Sequence, residues 1–177
     1  LRPDLAALAD RLLDRLPQTG PVDITARYCR PLPFEAICLL LGLPEEDRAW
    51  LAARVSPVSA MESALGAIWA LGRLGGVMAY FDDRIAEARA GRGRPGLLTD
   101  IVREEAAQAL TETELRTLFV TLFLAGHETT VHLLNHAVLA LARDAELRRR
   151  LLDQPEATPA LVEELMRWSS LIMVTTM

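Results

Sequence analysis

One stretch, from Thr111 to Arg143, constrains the fold more than any other part of the sequence. Thr111 and Glu114 have the spacing of a capping box, in which the threonine is the N-cap and the glutamate reaches back to it. The stretch behind this cap predicts a single helix over residues 112–143, which at ~1.5 Å per residue would be ~48 Å long. Because the helix is apolar on most sides, we expect it to run, buried, through the middle of the domain.

The rest of the sequence also favours helices. Hydrophobic residues make up 51% of the 177 residues and aromatic residues only 5%, so the core must consist mainly of Leu, Ala, Val and Ile. Leu and Ala favour helices, which predicts one mainly α domain over residues 1–177. Periodicity and turn residues predict further helices over residues 5–16, 34–41, 45–55, 65–90, 97–107, 145–152 and 159–168. Residues 22–24 are expected to form a short strand, residues 171–176 are β-prone, and residues 91–96 read as an exposed linker.

Composition excludes several classes of function. The formal net charge is −5 and no basic stripe is present, so we expect no nucleic-acid partner. No uninterrupted apolar stretch reaches the 18 or so residues of a membrane span, and no signal peptide is visible. Cys29 and Cys38 have no ligand-like neighbours, and we expect both to be buried and reduced in a cytoplasmic protein. The chain begins within a helical pattern, which suggests an excerpt of a longer protein.

All three histidines of the chain lie in the segment LAGHETTVHLLNH, residues 124–136. A zinc hydrolase motif would need His-Glu-x-x-His, but the fifth position here is Val131. His132 comes one residue too late and is turned about 140° around the helix from His127. His132 and His136 are four residues apart and could in principle hold a metal with Glu128, but histidines on a buried helix more commonly make hydrogen bonds. We therefore predict no metal site built from these side chains.

The small and polar residues of the same segment suggest a pocket for a small molecule. Thr129 lies four residues after Ala125, and a hydroxyl at that spacing can bond the carbonyl one turn back and loosen the helix. Ala125 and Gly126 have almost no side chain, so a flat ligand could approach the helix backbone there. Glu128 and Thr129 supply an acid and an alcohol, a pair that can relay protons.

The sequence resembles a known family, the cytochromes P450 of bacteria. The run AGHETT, residues 125–130, is similar to the family's central-helix signature, and Glu164 with Arg167 in VEELMRW resembles its Glu-x-x-Arg motif. The stretches 26–47 and 118–168 also resemble bacterial P450s. The resemblance extends over essentially all of the chain, in order, and implies the central helical part of the P450 fold.

The resemblance implies a haem-thiolate monooxygenase that inserts one oxygen atom of O₂ into a small organic substrate. Ala125 and Gly126 would lie over the distal face of haem b. Thr129 would hydrogen-bond the bound O₂, and Glu128 would help to deliver protons. Glu164 and Arg167 would form a structural ion pair.

The same resemblance implies a largely apolar substrate and a separate electron donor, a ferredoxin or a flavodoxin-like protein. The residues expected to bound the substrate lie on the long helix and after Arg167: Phe119, Leu122, Phe123, Leu171, Ile172 and Val174. The loop from Val55 to Met61 would form part of a lid.

The family's axial cysteine lies in a loop well after the Glu-x-x-Arg helix, and this chain ends at Met177, before that loop. Neither Cys29 nor Cys38 is in a stretch that could replace it. We therefore expect the middle of a P450, without its amino-terminal sheet region and its haem-cysteine region. The alternative is a haem-free P450-like helper or activator that binds a partner enzyme. The Glu128–Thr129 pair favours the monooxygenase, since a helper needs no proton relay.

Overall fold

The computed structural model describes residues 1–55, 64–104 and 109–168, with only the backbone given for residues 64–71. In these residues the chain forms eight α-helices and no strand. They are α1 (Arg2–Asp14), α2 (Pro31–Leu41), α3 (Glu45–Val55), α4 (Ala64–Arg89), α5 (Leu97–Arg103), α6 (Glu112–Arg143), α7 (Ala145–Asp153) and α8 (Thr158–Trp168). A π-helical turn, Thr25–Cys29, precedes α2, and a 3₁₀ turn, Pro155–Ala157, precedes α8.

The long helix α6 begins and ends where the sequence predicts. The Thr111 hydroxyl accepts a hydrogen bond from the Glu114 amide at 3.2 Å, and the Glu114 carboxylate accepts one from the Thr111 amide at 2.8 Å. This closed capping box confirms the predicted start of the helix. Because the carboxylate accepts these bonds, the pKa of Glu114 is lowered, the backbone amide of Thr111 being the main cause.

A stripe along one face of α6 forms the centre of the core. Its buried residues are Leu115, Phe119, Val120, Phe123, His127 and Val131. The stripe packs mainly against α2 and α4, and the Phe123 ring lies 5.7 Å from that of Phe81 and 5.9 Å from that of Phe34. Each Leu, Phe or Val of this stripe contributes roughly 1.5–3 kcal/mol when fully buried, so the stripe fixes α6 against its neighbours.

The expectation that α6 is buried on most sides holds for one face only. Thr121, Ala125 and Thr130 are exposed on its other side. By length and composition alone α6 could also cross a membrane, and 28% of its most apolar 18-residue window is buried among the described residues. A helix whose buried stripe packs into a protein core passes the same test, so this finding is weak support for a membrane span.

A close backbone crossing joins the end of α2 to the start of α5. Gly42 ends α2 in the left-handed conformation, with φ of 76°. A Cβ atom at Gly42 would lie 2.5 Å from the carbonyl oxygen of Pro95, and one at Gly96 would lie 2.6 Å from the α-carbon of Gly42. The segment 91–96, predicted to be an exposed linker, is therefore packed closely against α2 at its last residue.

The strand predicted at residues 22–24 is wrong. The Asp23 carboxylate accepts a hydrogen bond from the amide of Ala26 at 2.9 Å, so it caps a helical turn instead of extending the chain. Ile24 is already helical. The amide of Arg30 then bonds the carbonyl of Thr25 at 3.0 Å, which gives the turn its π-helical form.

Two other boundaries depart from the sequence expectation. Helix α5 ends at Arg103, because Glu104 is extended, where residues up to 107 were expected to be helical. Helix α8 begins at Thr158, one residue before the predicted start, and the Thr158 hydroxyl donates to the carbonyl of Pro155 at 2.7 Å. The β-prone residues 171–176 lie outside the described residues.

Candidate active-site face of helix α6

The residues of the AGHETT segment point in different directions around α6. At about 100° per residue, Thr129 lies about 40° from Ala125 and Glu128 lies about 60° to the other side of Ala125. His127 points almost opposite, into the core, where it is 5% exposed. Ala125 and Thr129 therefore share one accessible face, and Glu128 lies between that face and the buried histidine.

Both threonines of the segment bond the helix backbone one turn back. The Thr129 hydroxyl donates to the carbonyl of Ala125 at 3.0 Å, as its spacing predicts, and the Thr130 hydroxyl donates to that of Gly126 at 3.4 Å. However, the α-helix is continuous through this turn. The opened turn that the sequence had suggested is therefore not present, and Ala125 leaves this part of the α6 surface without a side chain beyond Cβ.

Gly126 contributes to packing between helices. A Cβ atom placed on Gly126 would meet the terminal methyl carbon of Ile37, on α2, at 3.0 Å. The direction in which a side chain would project from Gly126 thus faces α2 and not the face shared by Ala125 and Thr129. Its predicted contact with a cofactor stays a prediction and could involve only its backbone.

A cavity of about 730 Å³ lies between α2, α3 and α6, on the side of Glu128 that is away from Ala125 and Thr129. On α3 the described lining combines Ala49, Ala52 and Val55 with the charged Glu45 and Arg48, and on α6 it includes His127, Glu128, His132 and Asn135. Asn135 accepts a hydrogen bond at 2.8 Å from the hydroxyl of Thr25, which ties the π-helical turn to α6. Glu128 thus borders the accessible face of α6 on one side and this cavity on the other.

Charged groups around the cavity are partly paired. The Arg48 guanidinium lies 2.5 Å from the Glu35 carboxylate. Among the described lining residues three carboxylates, of Glu35, Glu45 and Glu128, face two guanidiniums, of Arg30 and Arg48. The described part of the lining therefore carries one more acidic than basic side chain, histidines aside.

The three histidines have different surroundings in the described part of the chain. Within the described ranges no group of three potential ligands from His, Cys, Asp and Glu lies close enough to hold an ion. His127 is held by the core, His132 lines the cavity, and the His136 ring lies 6.4 Å from that of Trp168.

Both cysteines are buried thiols, as predicted. Cys29 and Cys38 are 0% exposed. Burial raises the pKa of both thiols, that of Cys38 to about 12. Both thiols are enclosed by the core, so neither is accessible to a haem in this arrangement of helices.

Glu164 and Arg167 form the ion pair that their spacing predicts. Two parallel hydrogen bonds join the guanidinium to the carboxylate, at 2.8 Å and 2.6 Å. Both side chains are more than half exposed. The hydrogen bonds from Arg167 lower the pKa of Glu164, and those to Glu164 raise the pKa of Arg167. Within the described residues the pair lies on the surface of α8, and its predicted structural role stays a prediction.

Of the six residues expected to contact a substrate, three pack in the core and three lie outside the described residues. Phe119 and Phe123 are 0% exposed and pack in the core, and Leu122 packs against the same cluster. Their burial gives them a packing role, so substrate contact by these three stays a prediction. Leu171, Ile172 and Val174 lie outside the described residues, as does most of the predicted lid, of which only the buried Val55 is described.

Solved structures share this arrangement of helices. The cytochrome P450 PksS of the Bacillus subtilis bacillaene polyketide synthase superimposes with a TM-score of 0.85, at 32% identity over 94% of this chain and 43% of its own. The fold is therefore that of the cytochromes P450.

Curated proteins agree with the structural comparison, although no protein-family model matches the chain. The chain is 35% identical to the vitamin D(3) 25-hydroxylase of Pseudonocardia autotrophica, over 96% of this chain and 42% of that protein. It is 37% identical to the mycinamicin IV hydroxylase/epoxidase of Micromonospora griseorubida, over 95% of this chain and 42% of that protein. The chain is a bacterial-type cytochrome P450 sequence that spans less than half the length of these relatives.

Proposed function

We propose that the protein containing this chain is a haem-thiolate monooxygenase that transfers one oxygen atom of O₂ to a small, largely apolar organic substrate. The observation that carries the proposal is the accessible face of α6, where Ala125 and Thr129 lie side by side with Glu128 at their edge. Sequence relatives named as hydroxylases support the reaction type. The proposal extends beyond this chain, because it covers less than half of each relative.

The described residues fit the distal side of a haem. A flat ring needs a helix face without bulky side chains, and Ala125 offers one. When bound, haem b would supply the redox chemistry that activates O₂. Its thiolate ligand would have to come from outside the described residues, because Cys29 and Cys38 are buried elsewhere in the core.

Glu128 and Thr129 would transfer protons at this face. The Thr129 hydroxyl bonds the carbonyl of Ala125, and a hydroxyl rotor can turn from that acceptor to a ligand on the accessible side. The Glu128 side chain is 42% exposed, so it can exchange protons with water and pass them toward Thr129. Ala125 would keep the face open for the ligand.

An electron donor protein completes the proposed reaction, and we propose a ferredoxin or a flavodoxin-like protein in the cytoplasm. Cys29 and Cys38 support the location, since both are free thiols and a reducing compartment keeps thiols in this form. Reconstitution of turnover with each donor class in turn would identify the class that supports product formation.

The proposed function is tested on the full-length gene product by adding haem, reductant and CO. We expect the absorption shift to longer wavelength that a thiolate-ligated haem gives with CO, and product from an apolar substrate. A full-length protein that binds no haem would contradict the proposal and favour the haem-free helper that binds a partner enzyme.

A further inference from the structure

A smaller cavity lies beside the segment 91–96, and its described lining includes no residue of α6. It has a volume of about 210 Å³ and lies between the turn from α2 to α3, the last turns of α4 and the helix α5. Pockets for drug-sized ligands have volumes of roughly 300–1,000 Å³, so this cavity fits only a small molecule or an ion.

Thr99 lines this cavity, and its hydroxyl has no hydrogen-bond partner among the described residues. Thr99 lies on α5 and is only 2% exposed. A Cβ atom on Gly93 would lie 2.5 Å from the Oγ1 atom of Thr99, so the segment 91–96 can pass over the hydroxyl only because Gly93 has no side chain. Buried hydroxyls are usually bonded to protein, water or a ligand. The Thr99 hydroxyl can therefore donate to a group held in the cavity.

The two residues that flank Gly93 bring positive charge to the same cavity. Arg92 and Arg94 both line it. The Arg92 side chain is exposed and bonds no carboxylate in the described part of the chain. Arg94 lies 3.2 Å from Glu46, but both side chains are more than half exposed, and exposed ion pairs of this kind contribute little. Both guanidiniums are therefore available to an anion.

The remaining charges at the cavity offset one another. Arg84 bonds Glu87 at 2.9 Å and lies 3.5 Å from Asp47. When the carboxylate partner of Arg94 is included, three carboxylates surround the three guanidiniums. An anion therefore gains mainly the unpaired charge of Arg92 and one hydroxyl donor. These contacts predict weak binding, with a Kd of roughly 1 mM.

We propose that this cavity binds a phosphate group. Arg92 and Arg94 bond its oxygens from the segment 91–96, and the Thr99 hydroxyl donates to it from α5. Guanidiniums bond phosphate oxygens in parallel pairs, which suits arginine to phosphate recognition. The tetrahedral group presents oxygens in several directions, so it can accept bonds from the segment and from α5 at once. The site is independent of the proposed monooxygenase, because no residue of α6 takes part.

The site is tested by isothermal titration calorimetry of the full-length protein with inorganic phosphate, at a constant ionic strength set with potassium chloride. Arg92→Gln removes the unpaired guanidinium. Arg103→Gln is the matched control, because Arg103 is exposed at the end of α5 and lies outside the cavity. We expect phosphate to bind the wild type and Arg103→Gln alike. Its affinity for Arg92→Gln should be roughly tenfold lower, which corresponds to about 1.4 kcal/mol.

Thr99→Val tests the hydroxyl donor. Valine replaces the hydroxyl by a methyl group and keeps the branched shape of the side chain. The expected loss of phosphate affinity is roughly threefold, as for a neutral hydrogen bond. Urea unfolding gives a second readout, because a ligand that binds only the folded state stabilises it. Phosphate should raise the urea midpoint of the wild type and of Arg103→Gln, and should raise that of Arg92→Gln less.

Glycerol 3-phosphate is the second probe and identifies the source of the phosphate group. Tighter binding of this ester than of inorganic phosphate would identify a phosphorylated small molecule as the ligand, and equal or weaker binding would identify the free ion. If the wild type binds neither probe, or if Arg92→Gln binds phosphate as well as Arg103→Gln does, the proposal is overturned. Should Thr99→Val fail to fold, the two arginine variants decide the question, since both replaced side chains are exposed.

Discussion

The crossing of Gly42 with the segment before α5 gives a stability prediction whose size follows from the structure. In Gly42→Ala the residue keeps φ of 76°, a left-handed conformation that costs a non-glycine residue roughly 1–2 kcal/mol. The new methyl would also lie 2.5 Å from the Pro95 carbonyl, so that backbone must move. Overpacking of this kind costs roughly 1–3 kcal/mol more. We therefore expect Gly42→Ala to lower the free energy of unfolding by roughly 2–5 kcal/mol.

Gly91→Ala is a matched control for this substitution. Gly91 has the same φ of 76°, but a Cβ atom there would meet no atom within 4 Å. The control therefore keeps the conformational cost and lacks the clash. Urea unfolding of both variants, followed by circular dichroism, gives the two free energies, and their difference measures the crossing. A difference below about 0.5 kcal/mol would refute this account, because surface substitutions commonly vary by that much.

Three further predictions concern the long helix and the core. Gly126→Ala should change stability by less than about 1 kcal/mol, since the helix gain for alanine offsets a close contact with the terminal methyl of Ile37; a loss above 2 kcal/mol in urea unfolding would contradict this. Thr111→Ala removes the capping box with Glu114 and should cost about 0.5–2 kcal/mol in the same assay, where no loss would count against it. Burial raises the pKa of Cys38 from 9.0 to about 12, so the folded state holds this proton more tightly. Stability from this thiol should be complete below pH 9 and fall above it, by at most about 1.4 kcal/mol per pH unit, and Cys38→Ala should remove that part of the pH dependence.

Features that depend on residues close in sequence were predictable. The capping box at Thr111 and the Thr129 hydroxyl bond to Ala125 each join residues three or four apart on one helix, so spacing alone determines them. The ion pair of Glu164 with Arg167 is local for the same reason. These contacts can therefore be predicted without the positions of the other helices.

Features that depend on the neighbouring helices were not predictable. Periodicity placed Phe119 and Phe123 on α6, but only the positions of α2 and α4 show that both point into the core. Gly126 has its packing role because Ile37 lies opposite. The strand predicted near Asp23 failed because apolar alternation over three residues is weaker than a side-chain cap.

The central claim is that Thr129 and Glu128 on the accessible face of α6 deliver protons during oxygen transfer. It is tested most directly by measuring product formed per electron consumed in Thr129→Ala of the full-length enzyme. Thr130→Ala is the matched control, because its hydroxyl makes the same kind of backbone bond one residue further on. The account predicts that Thr129→Ala keeps its CO spectrum and loses most of its coupling, while Thr130→Ala stays near the wild type. Equal coupling in Thr129→Ala and the wild type would contradict it.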